Sequence, residues 1–488
     1  MKRYLKLMIL VLVLGVLVSC SAEAKSPKQI FPKREESWVG DPMPYWDGKE
    51  FKVFYLDDLR NGDFGYHPWS LLTTKDFVSY KDEGIVIPYG TKGTDQDVAI
   101  GTGSVVQDKD GLYHSFYTGH NAKKFPKEAV MHATSEDMIN WTKIPEDTFR
   151  ASEQYAADDF RDPYVIYNDD YEEYWMLLTT RKGNLGVVAL YTSQDLVTWE
   201  DEGVLFENDM DTDSNLECPT LIKFDGHWYL SFSDQWPDRV VHYRMATDSK
   251  GPFTKPEKDH FDGNGFYAGR MEKDDENLYM FGWTPTKVRY SDNEDYDWGG
   301  NLVVHQLMQK DNGELYPVPV TSVVDSFSKA KNIAPLLQTE TILKDKDTYH
   351  FSGNDFELLT FAPIVGTQHF SAEVKIDDTD GKFGFMFNVA DTNIGTLNLV
   401  VDIEKQELQF YNKLTDTILN EKPQSTMAAD FVAGDTVKID LFIENSTVVL
   451  YFDDQAVLSS RMFSLRDREW GFFGIDSKIE LQNAKLSK

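Results

Sequence analysis

Three acidic residues in this chain are each followed by a proline within two positions: Asp41-Pro42, Asp162-Pro163 and Glu217-Cys218-Pro219. Proline has no N–H and fixes φ, so a carboxylate beside it at the start of a strand is steered out of the hydrogen-bond ladder. A single Asp-Pro is an ordinary turn. Here each acid stands at a similar distance before a recurring aromatic strand: Asp41 is 13 residues before Phe54, Asp162 is 16 before Leu178, and Glu217 is 15 before Phe232. Three convergent carboxylates suit glycosidic bond hydrolysis. One protonates the leaving oxygen, a second attacks or activates water, and further negative charge steadies an oxocarbenium-like transition state. A metal centre suits these segments less well, because their histidines form no close-spaced ligand pair and Cys218 has no thiolate partner. No cofactor and no metal are expected.

The elements that must position these acids form a repeat. Half of it is a short aromatic strand: 51–56, 112–118, 174–180, 228–233 and 278–283. Stepping through Phe54, Phe116, Leu178, Phe232 and Phe281 gives spacings of 62, 62, 54 and 49 residues. The other half is a turn, Thr74-Lys75-Asp76 closing at Tyr80, Ser135-Glu136-Asp137 at Trp141, and Ser193-Gln194-Asp195 at Trp199, with a worn fourth copy ending at Phe253. A hydroxyl followed by Asp ties a tight turn through side-chain bonds to nearby amides, and the closing aromatic is expected to pack back on the blade. Short strands, dense turns and the absence of a long amphipathic helix before residue 320 predict an all-β fold. Its first part is a five-bladed β-propeller, each blade four-stranded, with the chemistry on the innermost strands lining the channel.

Past residue 325 the pattern changes. A mixed stretch, Asp325 to Gln338, holds at most one short connecting helix. Alternating strands follow at 370–376, 382–388, 396–403, 407–411, 437–443 and 448–452, and a tight turn at 444–447 joins the last two. They predict a C-terminal β-sandwich. The expected domains are a signal peptide at 1–19, an N-terminal tether at 20–34, the propeller at 35–325, a linker at 326–344 and the sandwich at 345–488.

At the N-terminus, Lys2, Arg3 and Lys6 precede an apolar run from Leu7 to Val18. As a helix it would reach roughly 18 Å, against the ~30 Å of hydrocarbon a span must cross. This reads as a signal peptide. Leu17 to Cys20 resembles the lipobox of bacterial lipoproteins, which implies cleavage before Cys20, lipidation of its sulfur, and a membrane attachment through lipid alone. Cys20 and Cys218 are the two cysteines, so an acylated Cys20 leaves no intramolecular disulfide. The formal charge of −32 is spread along the chain and argues against nucleic acid as a partner. An oligo- or polysaccharide substrate remains open, and the aromatic content of 14% suits both sugar stacking and β-rich cores.

Trp38-Val39-Gly40-Asp41-Pro42, Phe160-Arg161-Asp162-Pro163 and Glu217-Cys218-Pro219 resemble the three signature segments of glycoside hydrolase family 32, the family of invertases, levanases and inulinases. Supporting matches are Phe116 to Gly119, Gly103-Ser104, Gly265 to Ala268, Leu278 to Trp283, and Trp298 to Leu307. The resemblance implies a retaining β-fructosidase with Asp41 as nucleophile, Glu217 as acid/base and Asp162 as stabiliser. It also places Trp38, Thr102, Ser104, Arg161, Cys218, Tyr267 and Trp283 at the substrate, with Trp236 and Trp298 as further stacking candidates. Glu217 is expected to start protonated, its pKa raised by the other two acids. This sequence departs from the pattern at four places. Gly40 and Met43 stand where the family has Asn, Leu56 where it has Gln, and Gly101 where it has Phe. A roomier and more apolar pocket is the expected result. Two other readings stay open: a non-catalytic fructan-binding surface lipoprotein, and an inverting hydrolase of arabinan or xylan resembling family 43.

Overall fold

The computed structural model describes residues 28–59, 67–389, 396–415, 422–465 and 468–488. The expected signal peptide and Cys20 lie outside the described residues. Five antiparallel blades follow one another in chain order. Blade 1 is β1 (Trp38–Trp46), β2 (Phe51–Asp58), β3 (Trp69–Thr74) and β4 (Tyr80–Ile87). Blade 2 is β5 (Ala99–Gln107), β6 (Tyr113–His120), β7 (Glu128–Ser135) and β8 (Thr142–Lys143). Blade 3 is β9 (Phe160–Asn168), β10 (Glu173–Lys182), β11 (Leu185–Ser193) and β12 (Glu200–Glu207). Blade 4 has β13 (Leu216–Phe224), β14 (His227–Asp234) and β15 (Val241–Ala246). Isolated bridges from His242 to His260 and from Met245 to Thr254 stand in for its fourth strand. Blade 5 is β16 (Tyr267–Lys273), β17 (Leu278–Lys287), β18 (Tyr296–Gln309) and β19 (Leu315–Val318). Pairing of Val39 with Gly300 joins blade 5 to blade 1 and closes the ring.

The repeated turn is built the same way three times. In the first copy the Thr74 hydroxyl accepts from the Phe77 amide at 2.9 Å, and Asp76 Oδ1 accepts from Val78 and Ser79 at 3.0 and 2.7 Å. Ser135 with Asp137, and Ser193 with Asp195, repeat these bonds. Two of the closing aromatics reach the preceding blade: Trp141 meets Phe54 edge-on at 6.1 Å and Trp199 meets Phe116 at 5.4 Å. Trp141 also donates to the Met138 carbonyl of its own turn at 3.0 Å, so it ties its turn to the neighbouring blade.

The C-terminal region is a sandwich of two antiparallel sheets. Its strands at Thr436–Glu444 and Thr447–Phe452 form the expected hairpin, with Glu444 paired to Thr447. Alternation along this hairpin divides its side chains between two cores. Ile439, Leu441, Val448 and Leu450 face the inside of the sandwich. Phe442, Val449 and Tyr451 face the propeller and pack with Phe261, Phe266, Met271 and Val303. The stretch expected as a linker is woven into the sandwich: Lys331–Asn332, Leu337–Gln338 and Leu343–Asp345 each pair with a sandwich strand or hairpin partner. One short helix, Thr321–Ser326, precedes it. Of the expected tether, residues 28–34 are held firmly. Ile30 and Phe31 are buried between the domains, and their amides donate to Glu444 at 2.9 and 3.2 Å.

Candidate active site

One backbone irregularity recurs on the innermost strand of every blade. Two residues of that strand oppose one residue of the next: Asp41-Pro42, Gly101-Thr102, Asp162-Pro163, Cys218-Pro219 and Ala268-Gly269. Such a bulge twists the strand and re-aims its side chains. Four of the leading residues take a left-handed φ that side chains other than glycine adopt uncommonly: Asp41 38°, Asp162 56°, Cys218 54° and Ala268 51°. Proline in the second bulge position explains the Asp-Pro and Cys-Pro pattern, since that residue has left the ladder and needs no N–H. Asp41 and Asp162 are thus equivalent. Glu217 stands one residue earlier, level with Arg161 and Tyr267, and Cys218 takes the place of the aspartates. The expectation of three equivalent acids holds for two.

The bulges converge on a cavity of about 690 Å³ lined by Asp41, Asp162 and Glu217. Asp41 Oδ2 accepts from the Thr102 hydroxyl at 2.6 Å, and Oδ1 from the Trp283 indole at 3.3 Å. Asp162 Oδ2 accepts from the Cys218 amide at 3.0 Å and the Thr179 hydroxyl at 3.2 Å. Glu217 bridges two donors, with Arg161 Nη2 at 3.1 Å on Oε1 and the Tyr267 hydroxyl at 2.7 Å on Oε2. Arg161 is itself divided among carboxylates, its Nη1 lying 2.8 Å from Asp159 and 3.5 Å from Glu128.

Burial pushes the Asp41 carboxyl up to about 6; the charges of Asp162 and Glu217 add to the rise, while Thr102 and Trp283 oppose it. Glu217 is also raised, first by burial and then by Asp162, against the pull of Arg161 and Tyr267. Loss of water, more than the neighbouring acids, is what raises it. Burial holds the Cys218 thiol well above its ordinary range, so no thiolate is present there at neutral pH.

Of the residues named from sequence, Thr102, Arg161, Cys218, Tyr267 and the three acids line this cavity, as do Trp236 and Trp298. Trp283 lies outside this lining and reaches the site through its bond to Asp41, itself lining a neighbouring cavity. Two others lie elsewhere. Trp38 stacks on Tyr290 at 5.8 Å, outside the cavity lining. Ser104 accepts from the Val165 amide and lines a separate cavity toward the far end of the inner strands. The pocket is also not roomier at Gly40. A Cβ there would lie 2.1 Å from the Trp298 ring, which fills that space and stacks on His67 at 4.3 Å. Leu56, 4% exposed, does contribute an apolar wall. Sequence reasoning missed Glu128, Asp159, Gln235 and Arg239; only Asp159, two residues before Arg161, carried a positional signal.

Among the described residues, His242, Asp259 and His260 bring possible ligand atoms within 4.8 Å of one another. Arg244 Nη1 donates to Asp259 Oδ2 at 2.8 Å, the oxygen that also lies 3.0 Å from His242 Nδ1 and 3.5 Å from Lys255 Nζ, so this cluster is an ion-paired network already supplied with side-chain cations.

A five-bladed propeller with three carboxylates converging at its axis, one beside an arginine and a tyrosine, suits the hydrolysis of a glycosidic bond. The chain belongs to glycosyl hydrolase family 32: residues 33–319 match the family's N-terminal domain. It is a glycosidase of fructofuranosidase type, hydrolysing O-glycosyl bonds. Similar proteins include a sucrose-6-phosphate hydrolase of Escherichia coli, 23% identical over 92% of each chain. A levanbiose-producing levanase of Bacillus subtilis (strain 168) is 28% identical over 49% of this chain and 44% of its own. Among solved structures, exo-inulinase from Aspergillus awamori superposes with TM-score 0.71 at 15% identity, covering 94% of this chain and 98% of that one. The sucrose-6-phosphate hydrolase of Lactobacillus gasseri superposes with TM-score 0.71 at 20% identity, covering 95% and 92%.

Proposed function

We propose that this protein is a cell-surface hydrolase of unphosphorylated fructans, working by double displacement with Asp41 as nucleophile, Glu217 as acid/base and Asp162 as stabiliser. The observation that carries the assignment is the difference in hydrogen bonding between the first two. Asp41 Oδ1 meets an indole N–H, which only donates and so holds that oxygen as an acceptor, and the Thr102 hydroxyl donates to Oδ2. Glu217 meets Tyr267, whose hydroxyl also lies 3.3 Å from the Asp234 carbonyl. With the tyrosine donating to that carbonyl, a protonated Glu217 donates to the tyrosine in turn. The geometry thus suits an ionised Asp41 beside a protonated Glu217 before substrate arrives.

In the first step Glu217 gives its proton to the leaving oxygen while Asp41 attacks the anomeric carbon, and the bond from that carbon to the leaving oxygen breaks. Water, deprotonated by Glu217, then displaces Asp41 from the glycosyl-enzyme. Asp162, fixed by the Cys218 amide and the Thr179 hydroxyl, holds ring hydroxyls. Methanolysis tests the route: a methyl fructoside of retained configuration is expected, and an inverted one would overturn it.

Charge argues against a phosphorylated substrate. Asp41, Glu128, Asp162 and Glu217 outnumber Arg161 and Arg239 in the cavity lining, and Arg161 is already divided among three carboxylates. A phosphate needs cations that are free to pair with it, and in this lining that leaves Arg239, which lies over the Tyr267 ring at 4.6 Å, against four carboxylates. The likeness to a levanase supports a polymeric substrate, and export suits one, since a polymer is met outside the cell. The basic residues 2, 3 and 6, the apolar run to Val18, and Cys20 support lipid anchoring. Cys20→Ala is expected to release the protein from membranes; unchanged membrane association of that variant would sink the anchor.

A further inference from the structure

At the far end of the inner strands from the acids lies a cavity of about 360 Å³. Its volume falls within the roughly 300–1,000 Å³ of small-molecule sites. All five blades line it, through β1, β5, β9, β13 and β16. Along β16 the chain passes from Tyr267 in the catalytic lining, through the buried Arg270, to Glu272 in this one. Arg270 is held between the two cavities by the Gly103 and Asp162 carbonyls, with its guanidinium 5.6 Å over the Tyr164 ring.

Glu272 is a carboxyl that hydrolysis does not use. Its Oε1 accepts from the Lys273 amide at 2.9 Å. Desolvation pushes it up to about 7, against the pull of the Lys273 amide and charge and of the Trp46 amide. Near neutrality it therefore serves as donor or acceptor. Burial raises the Tyr45 and Tyr164 hydroxyls, and the charge of Glu272 adds to both rises. One carboxyl and two phenols thus share the mouth. Tyr45 and Tyr167 in its lining are half-buried, which leaves ring surface for the apolar face of a sugar.

Charge disfavours an anionic ligand here. Asp169, Asp170 and Glu272 stand against Lys223 and Lys273 in the lining. Lys223 is already paired with Asp170 at 2.9 Å, and Lys273 donates to the Lys223 carbonyl at 2.8 Å. A phosphate finds no free cation in that arrangement.

We propose that this far mouth is a second saccharide-binding site, which holds a neutral stretch of polymer away from the catalytic cavity. The proposal rests on the fructan reading above. Because the two mouths open at opposite ends of the propeller axis, a short oligosaccharide does not fill both. The far mouth engages another segment or another chain, and so raises the concentration of polymer around the enzyme. It acts on polymers and leaves disaccharides untouched.

The test is native electrophoresis through gels containing levan or inulin, in the inactive Glu217→Gln background so that the polymer is not consumed. Tyr45→Ala and Glu272→Leu are each expected to weaken retardation at least threefold, and Tyr45→Phe and Glu272→Gln, which keep the shape of the mouth, at least twofold. In the active enzyme the same substitutions should raise KM for the polymer at least twofold. They should leave kcat/KM on sucrose within twofold of wild type, which also shows that the variants are folded. Unchanged retardation in folded variants would overturn the site while leaving the hydrolase reading intact. Retardation relieved by choline and not by fructo-oligosaccharide would make the mouth a cation cage and overturn the saccharide assignment. Failure of wild type to cleave any fructoside would overturn the fructan reading, and this assignment with it.

Discussion

Trp298 occupies the space that a side chain on Gly40 would need: a Cβ built at Gly40 lies 2.1 Å from Cη2 and 2.4 Å from Cζ2 of that ring. The glycine and the tryptophan are one packing solution. The ring is fixed on its other sides by His67, stacked at 4.3 Å, and by Trp283 at 5.8 Å, which in turn donates to Asp41. Enlarging residue 40 therefore pushes, through two rings, on the proposed nucleophile.

Gly40→Ala is expected to lower stability by about 1–3 kcal/mol, the usual cost of overpacking, and to cut kcat by more than tenfold through displacement of Trp283 from Asp41. Thermal melts and steady-state kinetics check both. Trp298→Ala alone should cost about 3–5 kcal/mol for the packed ring it removes, and adding Gly40→Ala to it should cost little more, because the clash is gone. That non-additivity is what distinguishes a clash from mere loss of a glycine.

Much of this was legible in the sequence, and the limits have physical causes. The repeated aromatic strands marked the second strand of each blade because those strands are buried on both faces. The Asp-Pro pattern marked the bulges because proline is free to sit where the ladder is broken. Bulges account for part of the unequal offsets of 13, 16 and 15: the residues opposite them are Tyr55, Leu178 and Phe232, so the count for Asp41 was one short because Phe54 is one residue out of register, and the count for Glu217 was one long because Glu217 precedes its bulge. What one sequence does not carry is contact across blades. Trp298 filling the space beside Gly40, two of the closing aromatics reaching the previous blade, and Glu128 meeting Arg161 each join residues far apart in the chain. The cavity between the domains is the strongest case, since Asn264 and Gln424 in its lining come from different domains.

The Tyr267–Glu217 bond has a consequence for pH. A hydroxyl donating to the ionised carboxylate lowers its pKa, and Tyr267 opposes the rise at Glu217. Tyr267→Phe removes that support, so Glu217 holds its proton to higher pH. The basic limb of the kcat/KM profile, which reports free enzyme, should move upward while the maximum falls roughly tenfold to a hundredfold, within the range general acid–base groups contribute. A basic limb that moves down, or stays, would remove Glu217 from the acid role.

The acidic limb belongs to Asp41. Its pKa of about 6 predicts activity falling below that pH as the nucleophile takes up a proton. Thr102→Ala deletes a bond that favours the ionised form, so this limb should shift upward. The apparent values belong to the coupled carboxylates as a set, and the direction of each shift is the test.

The same pKa makes Asp41 a liability to the fold. The folded protein binds this proton more tightly than the unfolded chain, whose carboxyl has the ordinary value of 3.8. Between roughly pH 4 and 6 the folded state therefore carries more protons, and stability falls as pH rises through that window. Asp41→Asn removes the ionisation and keeps an acceptor for Thr102 or Trp283. It should be inactive yet more stable than wild type at pH 7, by roughly 1–3 kcal/mol for a shift of this size discounted for partial solvent access. At pH 4 the difference should largely vanish.

Arg270 offers the last prediction. It is 1% exposed on β16 and reaches across the axis, with Nη1 2.6 Å from the Gly103 carbonyl and Nη2 3.3 Å from the Asp162 carbonyl. Both carbonyls belong to or adjoin bulges of other blades, so one side chain ties blade 5 to blades 2 and 3 beneath the acids. Gly103 follows Thr102, which holds Asp41; the other carbonyl is that of Asp162 itself. Arg270→Met keeps the length of the side chain and deletes both donors, leaving two buried acceptors unpaired at about 1–3 kcal/mol each. Relief of a buried guanidinium with an unpaired Nε offsets part of this. The expected result is a modest fall in melting temperature with a fall in kcat of at least tenfold and little change in KM, because the carboxylates lose their setting while the walls that bind sugar stay in place. Arg270→Lys, which keeps a cation and at most one of the bonds, should fall between the two. A variant that loses stability but keeps full kcat would show that the bulges hold their geometry without this brace.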